Sequence, residues 1–103
     1  MKGKYDVKIT VPAIDDLHRM KFYLDGYNPS IFISMIIQLE AITNHLINQP
    51  YMYTVFKALH NCIYRKVNLK KYILIYDIDD GNKVVYIDRI YHGRENYQQK
   101  FYN

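Results

Sequence analysis

Hydrophobic and polar positions alternate with two different periods along this chain, and the switches between them predict its elements. In residues 5–10 (YDVKIT) Tyr5, Val7 and Ile9 alternate with Asp6, Lys8 and Thr10, the period of a half-buried strand. Thr10 then reads as the N-cap of a helix with Pro12 and Ala13 in its first turn and Asp15 and Asp16 near the positive end of the helix dipole. Ile14, Leu17, Lys21 and Leu24 share one face with Met20 beside them, so this helix is expected to run to about Tyr23 or Leu24 and to end at Gly26. Asn28-Pro29 repeats the start signal, and the second helix should continue to about Asn48, before Pro50. Its Phe32, Met35, Leu39, Ile42 and Leu46 form one core face, while Ile33 and Ile37 lie well away from it. A second apolar stripe of this kind is either buried between layers or covered by another chain.

Residues 50–61 show no clean period and read as a loop with room for a turn of helix. Beyond them the period shortens again. Residues 62–67 (CIYRKV), 72–78 (YILIYDI) and 84–91 (VVYIDRIY) read as strands, the last two closed into a hairpin by Asp79-Asp80-Gly81-Asn82. Asn68, Leu69, Lys70 and Lys71 are too short a connection for anything but an antiparallel neighbour. The expected organisation is one α+β domain over residues 1–103, ordered β-α-α-β-β-β, an antiparallel sheet with its first strand at an edge and both helices on one face. The tail, 94–103, could add a short amphipathic helix. In the last strand strict alternation puts Arg89 with Val85 and Ile87, yet the next large aliphatic is Ile90. Either a β-bulge near Asp88 and Arg89 resets the register, aiming Tyr91 and His92 out of the sheet's end, or Arg89 points into the concave side.

Composition changes little: 50% hydrophobic and 23% charged residues are ordinary globular usage. The longest apolar run, around 31–37, is interrupted by Ser34 and predicts no membrane span, and MKGKYDVKIT lacks the apolar segment of a secretory signal. A single cysteine, Cys62, allows no internal disulfide and fits a cytoplasmic setting. Charge changes the picture more. Of the net +4, residues 1–53 contribute nothing, with five basic and five acidic side chains, whereas residues 54–103 hold nine basic against five acidic. Lys57, Arg65, Lys66, Lys70 and Lys71 fall in the carboxylate-free stretch between Glu40 and Asp77. This one-sided field fits a partner that is nucleic acid or an acidic protein segment, or else a solvated basic face.

His18, His45, His60 and His92 have no metal spacing, Asp77, Asp79, Asp80 and Asp88 lack that of a calcium loop, and Cys62 reads as a small strand residue. No metal and no cofactor are expected. RNA cleavage would need a base for the 2′-hydroxyl, a cation for the transition state and an acid for the leaving oxygen. His92, then Arg65 or Arg94, then Tyr97 or Tyr91 are the candidates. The plainer alternative is that His92 and Gly93 form the turn ending the last strand, with Arg94 and Glu95 solvated.

The order of these pieces resembles the RelE/ParE superfamily of type II toxin-antitoxin toxins over almost the whole chain. The matching residues are YDVKIT with Ala13, Asp16 and Leu17; the long second helix; Tyr64-Arg65; Tyr72 and Tyr76 before an acidic turn; and Arg89, Ile90, His92, Gly93 and Arg94. The resemblance implies a small α/β toxin neutralised by a cognate antitoxin, with either DNA gyrase or ribosome-bound mRNA as target. Ile73 stands directly after Tyr72, where RelE-like ribonucleases tend to carry arginine, and His92-Gly93-Arg94 looks more ParE-like. Gyrase poisoning therefore ranks first, mRNA cleavage through His92, Arg65, Arg94 and Tyr97 second, and a non-toxic basic interaction module third. Arg65, Lys66, Arg89, Tyr91, His92, Arg94 and Tyr97 are the candidate target contacts. Ile33, Ile37, Lys57, Lys70 and Lys71, the spare stripe and the basic run, are the candidate antitoxin contacts.

Overall fold

A computed structural model of the protein describes residues 4–25 and 28–101. The elements are β1 (Asp6–Ile9), α1 (Val11–Asp25), α2 (Pro29–Asn48), β2 (Thr54–Leu59), β3 (Cys62–Leu69), β4 (Tyr72–Asp79), β5 (Val84–His92) and α3 (Tyr97–Lys100). They build an α+β fold around one sheet of order β1-β5-β4-β3-β2. Two features differ from the four-stranded antiparallel sheet expected above. Residues 54–59 form an edge strand, not a loop, and β1 joins β5 in parallel, pairing Asp6 with Val84 through to Ile9 with Ile87.

The edge strand was hidden for physical reasons. A register shift between Val55 and Lys57 breaks its alternation, and as an edge strand it buries little on either face. It is joined to β3 by a two-residue turn in which His60 and Asn61 both take positive φ, 51° and 65°, the pairing of signs that matches strand twist in tight hairpins. The β3–β4 connection is shorter than expected, since Asn68 and Leu69 belong to β3 and only Lys70 and Lys71 turn the chain. The tail contributes a single helical turn, α3, and residues 102–103 lie outside the described residues.

Both long helices lie on one face of the sheet. Asn28 caps α2 through its side chain, which accepts from the Ser30 N–H at 3.1 Å, and Pro29 follows where no N–H is needed. Met35, Leu39, Ile42 and Leu46 of α2 then bury against Val67, Leu69, Leu74, Tyr76, Val85 and Ile87 of the sheet. Leu46 is fully enclosed, so truncating it to alanine would cost about 2–5 kcal/mol. Taken whole, α2 is long and apolar enough by length and composition to cross a membrane, which its interrupted run at 31–37 did not suggest; the stripe just named is packed on the sheet. Ile33 and Ile37 stay 58% and 62% exposed, so no second layer covers them.

Thr10 caps α1 as expected and does more: its N–H and hydroxyl both donate to the Ile87 carbonyl, at 3.1 and 3.0 Å, tying the helix start to β5. The inward face of α1 is Ala13, Asp16, Leu17 and Met20 rather than one centred on Ile14, which is 38% exposed. Gly26, expected to end this helix, lies outside the described residues, as does the side chain of Leu24. Asp15 and Asp16 fall beyond the first helical turn, so the dipole is not what places them.

Candidate functional site

Of the two alternatives at Asp88 and Arg89 the bulge is present and decides what each face of the sheet carries, but it does not aim Tyr91 and His92 out of the sheet's end, since Tyr91 is buried with Ile73 and Ile75 and His92 packs on Tyr72. Ile75 pairs with Arg89 but Tyr76 pairs with Ile87, leaving Asp88 as the extra residue. Val85, Ile87 and Ile90 therefore all reach the helix-side core, while Tyr91 turns to the opposite face with Ile73 and Ile75. That open face is apolar at its centre and basic around it. Phe56, Tyr64, Tyr97 and Phe101 pack on Ile73, Ile75 and Tyr91, with Phe101 edge-on to Tyr64 at 4.7 Å and Tyr97 tilted over Phe56 at 5.7 Å. Two lysines hold α3 against it: Lys57 donates to the Gln98 carbonyl at 2.7 Å and Lys66 to the Tyr97 hydroxyl at 3.4 Å.

Arg89 leaves this face sideways. Its guanidinium grips Asp16 of α1 with both ends, at 2.8 and 3.0 Å, and stacks over the Tyr91 ring at 4.7 Å. Asp16 also accepts from Arg19 and from the Ile90 N–H at 2.9 Å, a backbone donor that β1 is too short to satisfy. The buried carboxylate is thus paired and fully hydrogen-bonded, as burial of a charge requires. It holds the Arg89 guanidinium more firmly protonated than usual.

At the end of β5 the chain closes a tight loop. The His92 N–H donates to Glu95 at 2.7 Å and the Arg94 N–H donates to His92 Nδ1 at 3.0 Å, which in the neutral ring puts the imidazole proton on Nε2. Burial pushes the Glu95 carboxyl up, but Lys100 and the His92 N–H outweigh it and hold it below its ordinary range. The Gly93 N–H donates to the Lys71 carbonyl at 2.7 Å, and a side chain there would bring its Cβ to 3.0 Å from the same oxygen. Any larger residue here would have to push that hydrogen-bonded carbonyl aside by a few tenths of an ångström.

The residues proposed for RNA cleavage are not brought together. Arg65 pairs with Tyr76 and His92 with Tyr72, so both lie on the helix side, four residues apart along β4, or ~13 Å. Arg65 is occupied there, donating to the Tyr51 and Tyr53 carbonyls at 3.3 and 2.7 Å and sitting over the Tyr51 ring. Tyr97 lies on the open face and Arg94 is exposed in the loop. Of the wider target set, Lys66, Arg89, Tyr91 and Tyr97 do form one neighbourhood. Of the antitoxin set, Ile33 and Ile37 lie on α2, Lys57 on β2, and Lys70 and Lys71 at the β3–β4 turn.

Sequence reading missed one constellation. Asp77 and Asp88 come together on the open face: burial first, then the hydrogen bond and charge of Asp77, push the Asp88 carboxyl up to about 9. Among the described residues no donor faces the buried Asp88 Oδ2, and the half-buried Cys62 thiol reaches Asp77 at 3.8 Å. Desolvation, with these acids and Cys62 nearby, pushes the Tyr64 phenol up to about 12. The only signal for this pair was the doubtful register around Asp88. Among the described residues no group of three or more His, Cys, Asp or Glu could hold a metal.

Residues 7–97 match the model of the ParE toxin of the type II toxin-antitoxin system parDE. No curated protein matches the chain. Among solved structures, a RelBE2 toxin-antitoxin complex from Mycobacterium tuberculosis shares 23% identity, with TM-score 0.60 over 89% of this chain and 94% of that one. The chromosomal ParDE system of P. aeruginosa shares 15% identity, with TM-score 0.66 over 88% and 98%. A mutant E. coli RelE toxin in the free state shares 13% identity, with TM-score 0.62 over 94% and 92%.

Proposed function

The chain belongs to the ParE toxin family of type II toxin-antitoxin systems, and from that premise we propose that it arrests growth by binding and poisoning DNA gyrase in the cytoplasm. The observation that carries this reading is the dispersal of acid-base chemistry. General acid-base catalysis needs its groups within about 3 Å of the protons they move. Here the imidazole, the strand arginine and the phenol stand on different faces or are already bonded to backbone. A binding surface makes no such demand. Arg94, exposed beside the ordered His92 loop, and the Lys66, Arg89, Tyr91 and Tyr97 neighbourhood supply the arginine and aromatic side chains that dominate interface energetics.

The second reading, ribosome-dependent mRNA cleavage, keeps one supporting observation. Lys66 and Tyr97 meet at 3.4 Å on a basic, aromatic face suited to stacking bases. The partner is a cognate antitoxin, and the exposed Ile33 and Ile37 are the surface we assign to it. Purified protein added to gyrase should inhibit supercoiling and trap cleaved DNA. Growth arrest on expression, without either effect at matching concentrations, would remove the gyrase reading and leave the family assignment standing.

A further inference from the structure

Two buried side-chain oxygens that lack a partner among the described residues, Asp88 Oδ2 and the Tyr91 hydroxyl, belong to residues lining one cavity of about 490 Å³. It lies on the open side of the sheet, between the start of α1, the β2–β3 turn, the end of β5 and α3, and its size suits a compact ligand. Tyr64 and Phe101, edge-on at 4.7 Å, give it an apolar aromatic wall. Arg89, Tyr91 and Lys100 also line a neighbouring cleft of about 410 Å³, together with Arg19 and Glu95. Tyr91, only 3% exposed, thus stands in the wall common to both, with its hydroxyl unanswered. A buried hydroxyl left that way costs free energy that a ligand would recover.

Charge decides which ligand. Arg19, Arg89 and Lys100 bring three positive charges to the outer cleft, and Asp16 and Glu95 bring two negative ones. Asp16 serves both arginines, so one positive charge has no counterpart there. Arg89 spends Nε and Nη2 on Asp16, which leaves Nη1 without an acceptor among the described residues. Deeper in, burial raises both the Tyr91 phenol and the Asp88 carboxyl, so neither adds a negative charge at neutral pH. We propose that these adjoining clefts bind a small carboxylate with a flat body. The carboxylate lies among Arg19, Arg89, Lys100 and the Tyr91 hydroxyl, the body lies against Tyr64 and Phe101, and a neutral hydroxyl or N–H of the body donates to Asp88 Oδ2. One negative charge balances the surplus, and guanidinium groups suit the two oxygens of a carboxylate. Such a ligand bridges α1, β5 and α3, pinning the carboxy-terminal turn to the sheet. The site stands whether the target is gyrase or mRNA.

The probe is 4-hydroxybenzoate, with a carboxylate at one end and a hydroxyl at the other, titrated into the full chain and followed by saturation-transfer NMR and calorimetry. It should bind about 10-fold more tightly than phenol, which lacks the anion, and more tightly than benzoate, which lacks a donor for Asp88. Arg19→Gln and Tyr91→Phe should each weaken it about 5-fold or more. Lys8→Gln, which removes an exposed cation of β1 outside the clefts, should leave its affinity unchanged. The Arg19 side chain is 68% exposed and Tyr91→Phe deletes an oxygen with no partner among the described residues, so both variants should fold, and far-UV circular dichroism checks it. Amide hydrogen exchange at residues 97–101 should slow when the probe is bound. The proposal is overturned by the absence of saturable binding up to about 10 mM, or by equal affinity for the parent, Arg19→Gln and Tyr91→Phe. Tighter binding of phenyl phosphate than of benzoate, or unchanged exchange at residues 97–101, would overturn it as well.

Discussion

Replacing Asp88 with asparagine should stabilise the protein, and by an amount that grows with pH. With its carboxyl pushed up to about 9, against an ordinary value of 3.8, Asp88 keeps a proton in the folded chain that the unfolded chain has already released. Between those two values the folded state binds more protons than the unfolded one, so stability falls as pH rises from about 4 towards about 9. At roughly 1.4 kcal/mol per pH unit, the cost reached by pH 7 has an upper bound of about 4 kcal/mol, and solvent relaxation around a partly buried acid lowers this to about 1–3. Asparagine is nearly isosteric, does not titrate, and can still donate to Asp77. Urea unfolding at pH 5, 6, 7 and 8 should give a difference between variant and parent that is small at pH 5 and widens steadily. Parallel stability curves for the two proteins, or a variant less stable than its parent at pH 8, would refute the account of a protonated Asp88 at the bulge.

Asp16→Ala strands the Arg89 guanidinium and the Ile90 N–H, and should lower unfolding free energy by about 3–5 kcal/mol in the same assay, with Asp16→Asn intermediate. Gly93→Ala forces a Cβ against the Lys71 carbonyl and should cost about 1–3 kcal/mol, read as a lower melting temperature. Ile37→Asp combined with Lys70→Glu should weaken antitoxin binding while leaving the melting temperature within a few degrees of the parent, because both side chains are exposed. Unchanged affinity in titration calorimetry would clear α2 of that role.

What could be read in advance was whatever the chain writes locally. The hairpin of β4 and β5 follows from two dense β-branched runs around an acidic turn, and Asn28-Pro29 marks the start of α2 within one residue. The bulge was legible only as one of two alternatives, because Arg89 and Ile90 contradict the alternation of Val85 and Ile87 without saying how the conflict is resolved. β2 was not, since an edge strand with its own register shift buries too little on either face to leave a period. Nor was the parallel pairing of β1, which depends on where the helices return the chain and not on its own four residues. For the site, charge could be located but not its engagement. Arg65 reads as a free cation in sequence, yet it serves the Tyr51 and Tyr53 carbonyls, whose need for a donor exists only after folding. The Asp77 and Asp88 pair arises across strands, through the bulge, and no linear spacing announces it.

The central claim is that this toxin acts as a binding surface without a hydrolytic centre. It is tested most directly by giving one preparation of the protein, with His92→Ala, Arg65→Ala and Arg94→Ala variants, to two targets: gyrase acting on relaxed plasmid, and mRNA under translation analysed by primer extension. The account predicts gyrase inhibition that survives His92→Ala and weakens in a graded way, by about 1–3 kcal/mol, with Arg94→Ala, and no new mRNA ends. Codon-dependent cuts in the message, abolished by His92→Ala and Arg65→Ala while ribosome binding persists, would contradict it.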